Sequence, residues 1–316
     1  MTGPAIGIDV GGTKLLALRL EPDGSYVADP EHPSPCTGPE LVRDVLAAAA
    51  RLSGPGRRPA SVGLGVPGLV DRDGRFVFAP NLPGAAGTAL GGALREAEPA
   101  CRFWIGNDAT AACWAEHTRG AGRGHPDMLM VTLGTGIGGG IVSGGRLIEG
   151  ASRFSAEFGH MVVDPSGPPC PCGKRGCWER FASGAGLGEV GREQAVAGRA
   201  PELTRLAGHP EAVQGEHVTA AAAGGDAAAV EIMKRFAWWV ALGLANLANL
   251  LDPGVIVLGG GLVEAGAVLL EPTRQAFFEL VEAGEVRPPI DIVAAELGAR
   301  AGAVGAALLA ATSLPA

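Results

Sequence analysis

Lysine is scarce: Lys14, Lys174 and Lys234 are the only three in 316 residues. Charged residues of all kinds reach only 18%, and the formal net charge is -8. A general nucleic-acid binder needs a basic face to displace counterions, so that class is excluded. A phosphate ligand is not, because oriented backbone N–H groups can hold an anion in an acidic protein. No basic stretch followed by an apolar run opens the chain, and Asp9 interrupts the first apolar segment. No signal peptide is therefore read, and a cytoplasmic, membrane-free protein is expected. Long apolar runs are missing too. Residues 237–251 carry Asn246 and Asn249 and stop at Asp252-Pro253, while 301–314 is too short to span a bilayer. Both read as buried helices.

What is abundant is small and apolar. Hydrophobic residues make up 47%, which suits a packed globule. Gly 51 and Pro 24 occur without a collagen period and imply many tight turns. At 316 residues a single core is unusual, so two domains are expected. Strand and helix patterns alternate in both halves, which makes the class α/β. Strand, Gly-Thr turn, strand, turn, strand occurs twice, beginning near Ile6 and near Val131, and reads as a structural duplication. The expected division is a small α/β domain over 1–118, completed by a C-terminal helix over 300–316, and a large α/β domain over 119–299.

Three glycine elements are candidate ligand sites. The first, Asp9-Val10-Gly11-Gly12-Thr13-Lys14, follows a strand and lets backbone N–H groups approach phosphate oxygens. Asp9 suits a phosphate-bound Mg²⁺ held through water. The same stretch also suits an ordinary hairpin turn. The second, Gly134-Thr135-Gly136-Ile137-Gly138, repeats the pattern, and two such turns facing one another would grip a polyphosphate. Neither is a P-loop, and neither leads from strand into helix as a dinucleotide fingerprint does. The third, Gly259-Gly260-Gly261, ends a buried strand; it suits either a planar ring lying on the backbone or a helix-start turn.

Cys36, Cys101 and Cys113 are scattered and read as small core residues. Cys170, Cys172 and Cys177 crowd into eight positions beside His160. Three thiolates and one imidazole suit tetrahedral Zn²⁺, and four protein ligands make such a site structural, not hydrolytic. Among the carboxylates, Asp108 follows Asn107 where a strand gives way to a helix. It suits either an N-cap or a general base. Glu157 and Glu179 flank the cysteine cluster, where they suit either solvated loop charge or, aimed by a rigid knuckle, the hydroxyls of a sugar.

Taken in order, Asp9 to Lys14, Asn107-Asp108, Leu133 to Gly140, Glu157-Phe158-Gly159-His160 and Cys170 to Glu179 resemble the ROK family of repressors, open reading frames and sugar kinases. They are most similar to its bacterial ATP-dependent glucokinases. The resemblance runs from about Ile6 to the final helix. It implies an actin-like, ribonuclease-H-related fold of two domains flanking a nucleotide cleft, and phosphorylation of glucose at its 6-hydroxyl. It implies Asp108 as the base, and Asn81, Asn107, Glu157, His160 and Glu179 on the sugar. Gly11, Gly12, Thr13, Lys14, Thr135 and Gly136 would line the phosphates, and Gly259, Gly260 and Gly261 the adenosine. ATP, catalytic Mg²⁺ and structural Zn²⁺ on His160, Cys170, Cys172 and Cys177 follow, as does a homodimer or homotetramer. Thr110, and Ser155-Ala156 where Ala-Gly is usual, depart from the family pattern. Kinases for N-acetylmannosamine, N-acetylglucosamine or fructose share most of these motifs. Polyphosphate-using glucokinases resemble the pattern without the cysteine knuckle. The repressors carry an N-terminal helix-turn-helix for which the early first strand leaves no room.

Overall fold

The computed structural model describes residues 3–312. In chain order the strands are β1 (Ala5–Val10), β2 (Lys14–Leu20), β3 (Tyr26–Ala28), β4 (His32–Pro33), β5 (Ser61–Val66), β6 (Leu69–Val70), β7 (Phe76–Phe78), β8 (Arg102–Asn107), β9 (Met128–Leu133), β10 (Ile137–Ser143), β11 (Arg146–Leu147), β12 (Val255–Gly259) and β13 (Asp291–Ala294). The helices are α1 (Gly38–Ser53), α2 (Leu90–Ala97), α3 (Asp108–Arg119), α4 (Glu179–Ala182), α5 (Gly184–Val196), α6 (Pro201–Ala207), α7 (Gly215–Ala223), α8 (Ala227–Leu251), α9 (Ala267–Leu280) and α10 (Ala301–Thr312).

Two sheets repeat one plan. The first runs β3-β2-β1-β5-β8, with β4 added to β2, and the second runs β11-β10-β9-β12-β13. In the first, β1 and β2 form an antiparallel hairpin, while β5 and β8 add in parallel. In the second, β12 pairs in parallel with both β9 and β13. This is the duplicated arrangement of an actin-like ATPase. β5 is buried along its whole length, as a central parallel strand with both faces covered must be.

The described residues form two compact bodies, one of residues 3–126, 140–156 and 296–312, the other of 127–139 and 157–295. The first therefore extends to residue 126 instead of 118, and it takes in 140–156, which the sequence reading had assigned to the second. The reason is local packing. Gly140 lies directly on Cys113 of α3, where a side chain would collide. Arg72 donates to the carbonyls of Gly150 and Ala151, both at 2.7 Å.

In the first body α10 packs on β1, β5 and α3. Gly7 and Gly63 admit its backbone: a Cβ at either would strike the carbonyls of Ala303 or Ala306. α1 covers the other face with Leu41, Val45, Ala48 and Leu52. Its start is a complete capping box between Thr37 and Glu40. The fully buried carboxylate of Glu116 accepts the N–H groups of Ala121 (2.9 Å), Glu296 (3.2 Å) and Leu297 (2.8 Å). It ties the end of α3 to the segment that leads into α10. In the second body Trp178 is fully buried and donates to the Trp239 carbonyl at 2.7 Å. Its ring occupies the space a side chain at Gly243 of α8 would need.

Candidate active site and metal centre

The functional candidates fall into one group in each body. In the first, the β1–β2 hairpin is closed by the Gly11 N–H on the Lys14 carbonyl at 2.8 Å. Gly12, Thr13 and Lys14 are exposed at its tip. Lys14 pairs with Glu31 at 2.8 Å, an exposed contact worth little in water. Asn81 packs beside Gly12. Ser34, absent from the sequence reading, braces the hairpin from behind: its hydroxyl donates to the Gly11 carbonyl at 2.6 Å and its N–H to the Thr13 carbonyl at 3.0 Å. Only the pairing of β4 with β2 brings it there, so no local signal in the sequence marks it.

Asp9 and Asp108 flank one glycine. A Cβ at Gly65 would sit 3.3 Å from the Asp108 Cα and 3.8 Å from the Asp9 Oδ1. The Asp9 carboxylate also presses on Gly302 in the first turn of α10. Burial, followed by the charge of Asp108, raises its pKa from 3.8 to about 7. Crowded negative charge of this kind fits a divalent cation, which would relieve it. The N-cap of α3 is Asn107 and not Asp108. Its Oδ1 accepts from the Thr110 N–H at 3.0 Å, and its Nδ2 donates to the Gly68 carbonyl at 3.3 Å. Asp108 is the first helical residue, and its Oδ1 takes the Ala109 N–H at 2.8 Å. Helix N-terminal N–H groups favour a carboxylate there.

In the second body, the turn after β9 is held by the Gly134 N–H on the Gly136 carbonyl (3.0 Å) and the Gly184 N–H on the Gly134 carbonyl (2.7 Å). Thr135 is exposed at its tip. Gly259 closes β12. Gly260 adopts φ 83 and sits against the backbone of Leu133, so the third glycine element adjoins the second. Gly260 also caps the short 3-10 helix Gly261–Ala265, as the helix-start reading expects.

His160, Cys170, Cys172 and Cys177 converge, with their ligand atoms all within 4.8 Å of one another. His160 Nδ1 lies 3.9 Å from the Cys170 sulfur, and the Cys172 and Cys177 sulfurs are 3.5 Å apart. Sulfurs on a tetrahedral Zn²⁺ at about 2.3 Å would stand about 3.8 Å apart, so the donor set fits that ion. Burial first, then the neighbouring thiols, pushes Cys177 up to about 12, an unfavourable thiolate that a bound cation would rescue. The other ring nitrogen of His160, Nε2, lies 3.9 Å from the Glu157 carboxylate. The Glu157 pKa is raised by desolvation; His160 opposes the rise and Glu179 adds to it. Glu179 opens α4, and its Oε2 accepts the Ile137 N–H at 2.9 Å.

The model of the ROK family matches residues 5–313. A glucokinase of Streptomyces coelicolor is 39% identical over 312 residues, covering 98% of both chains. An N-acetylmannosamine kinase of Shigella boydii is 32% identical, covering 96% of this chain and 97% of its own. The crystal structure of a ROK family glucokinase from Streptomyces griseus, in complex with glucose and AMPPNP, superposes with a TM-score of 0.86 at 38% identity. It covers 98% of this chain and 100% of that one.

Proposed function

The chain belongs to the ROK family, and we propose that this sugar kinase transfers the γ-phosphoryl group of ATP to the 6-hydroxyl of glucose. One observation carries the reading. Asp108 stands at the first turn of a helix capped by its neighbour, with Asp9 across Gly65. A carboxylate fixed at a helix start by backbone N–H groups is a rigid proton acceptor.

The step is in-line substitution at phosphorus. Asp108 takes the proton of the attacking hydroxyl as the new O–P bond forms and the bond from the γ-phosphorus to ADP breaks. Phosphoryl transfer asks for little covalent help, so alignment and charge neutralisation do most of the work. The N–H groups of Gly11, Gly12 and Thr13, the Lys14 ammonium, Thr135 and Gly136 would bind phosphate oxygens. Gly259, Gly260 and Gly261 would face the adenosine. Asn81, Glu157, His160 and Glu179 would receive sugar hydroxyls. Asn107 accepts from Thr110 through its amide oxygen and donates one amide hydrogen to Gly68, so it would position Asp108 and keep the second hydrogen for the sugar. Mg²⁺ bound near Asp9 through water would neutralise phosphate charge. Zn²⁺ held by His160, Cys170, Cys172 and Cys177 would make the loop rigid, with His160 Nε2 turned toward Glu157.

A second hexose is the rival reading, favoured by the N-acetylmannosamine kinase relative. A coupled assay of glucose, mannose, fructose and N-acetylated hexoses, with ATP or polyphosphate as donor, separates them. Glucose with ATP should give the highest kcat/KM; a higher value for an N-acetylated hexose would assign the rival substrate.

A further inference from the structure

Glu179 stands two residues beyond the last cysteine of the cluster, yet its carboxylate serves the glycine turn after β9. Its Oε2 accepts the Ile137 N–H at 2.9 Å. Gly136 has no positive φ, so the turn itself does not call for glycine there. What a side chain there would disturb is the carboxylate opposite, which would have to move aside. A Cβ at 136 would run into the Glu179 Oε2 and lie 3.1 Å from its Cδ. The carboxylate is shared backbone-side with Ile137 through one oxygen, and Oε1 takes no part in that bond. α4 is short, and its start follows directly from buried Cys177 and Trp178. The carboxylate is therefore held at a fixed height over the turn.

We infer that Glu179 is a positioning residue that couples the two substrates of the second body. One carboxylate oxygen fixes the turn assigned to the nucleotide phosphates, while the other is free to take a sugar hydroxyl. Gly136 is glycine to leave room for that carboxylate. The inference rests on the sugar-kinase reading and adds a link between its subsites. Binding coupling is reciprocal, so a ligand on either oxygen should strengthen the site of the other. A substitution on the nucleotide turn should then weaken the sugar.

The test uses the full zinc-loaded chain and direct binding, read by calorimetry with glucose and with a non-hydrolysable ATP analogue. Zinc content and thermal melting check that each variant is folded. Gly136→Ala should weaken glucose about tenfold with nucleotide absent, the size of one lost charge-assisted hydrogen bond. It should have little further effect in a Glu179→Ala background, where the collision is gone. Unchanged glucose affinity in Gly136→Ala, with nucleotide affinity alone reduced, overturns the inference. Should Gly136→Ala fail to fold, Glu179→Ala decides. It should weaken the ATP analogue with glucose absent and shrink the factor by which glucose tightens the analogue; no change in either overturns the proposal. Failure of the wild type to bind any hexose would instead reject the kinase reading, and the sugar-free analogue measurement would still report on the link from Glu179 to the turn.

Discussion

Asp9 has a folded-state pKa raised toward neutrality, whereas in an unfolded chain it ionises near 3.8. Between these values the folded protein holds a proton that the unfolded chain has released. Stability therefore falls as pH rises from about 4 to about 7 and levels off above. Asp9→Asn removes that component. Denaturant titrations should show a smaller loss of stability between pH 5 and pH 8 in the variant than in the wild type; an equal loss would show that Asp9 is ionised throughout. Ala156 makes a different residue-scale point. It adopts φ 66, left-handed backbone that a Cβ disfavours. The sequence marked this position only as an oddity, alanine where the family usually has glycine; the dihedral gives the physical cost. Ala156→Gly should stabilise the protein by up to about 1 kcal/mol, once the looser unfolded chain is discounted. Chemical denaturation with an unchanged or lowered midpoint would refute it. The positions of Asp9 and Asp108 were legible because one stands near the end of a strand and the other directly after one, each beside a break in pattern. The cap on Asn107, the brace from Ser34 and the bond from Glu179 to Ile137 were not, since each depends on where a side chain points after folding.

At the scale of elements, β1, β5 and β9 match their apolar runs from end to end, because buried strands bounded by glycine or proline punctuate themselves. The Ala-rich stretch from Val218 to Leu251 is not one helix. It is two helices, α7 and α8, broken at Gly224-Gly225 and restarted by Asp226, whose carboxylate caps α8 on the Ala229 N–H at 2.9 Å. Pro272 lies inside α9, which begins at Ala267; proline there forfeits one backbone hydrogen bond and does not stop the helix. α5 and α6 went unread because glycines blur the apolar stripe of α5 and α6 is short. The cysteine loop has even less regular structure. It has only the bridges Val162↔Cys177 and Pro169↔Arg175, with Trp178 as its anchor. A loop this sparse needs a cross-link, and the four ligands would supply it. Cys172→Ser should lower bound zinc from about one ion per chain, reduce the melting temperature and weaken glucose. Full zinc content by mass spectrometry would remove Cys172 from the ligand set.

For the whole molecule, the repeated Gly-Thr hairpin pointed correctly to two sheets of one plan. It did not locate the bodies' limits, since the contacts of residues 140–156 with α3 and Arg72 leave no periodic trace in the sequence. No helix among the described residues is long and apolar enough to cross a membrane. The duplication supplies two glycine turns, one per body, and only the first body carries the acidic pair at Gly65. The proposed function therefore gives the chemistry to Asp108. The direct test of that assignment is the steady-state rate of ATP-dependent glucose phosphorylation by Asp108→Asn, a change that keeps shape and removes the proton acceptor. A base at Asp108 means a fall in kcat of about a thousandfold, within the range for loss of a general base, with glucose affinity and zinc content near those of the wild type. A kcat within about tenfold of the wild type, below that range, would contradict it.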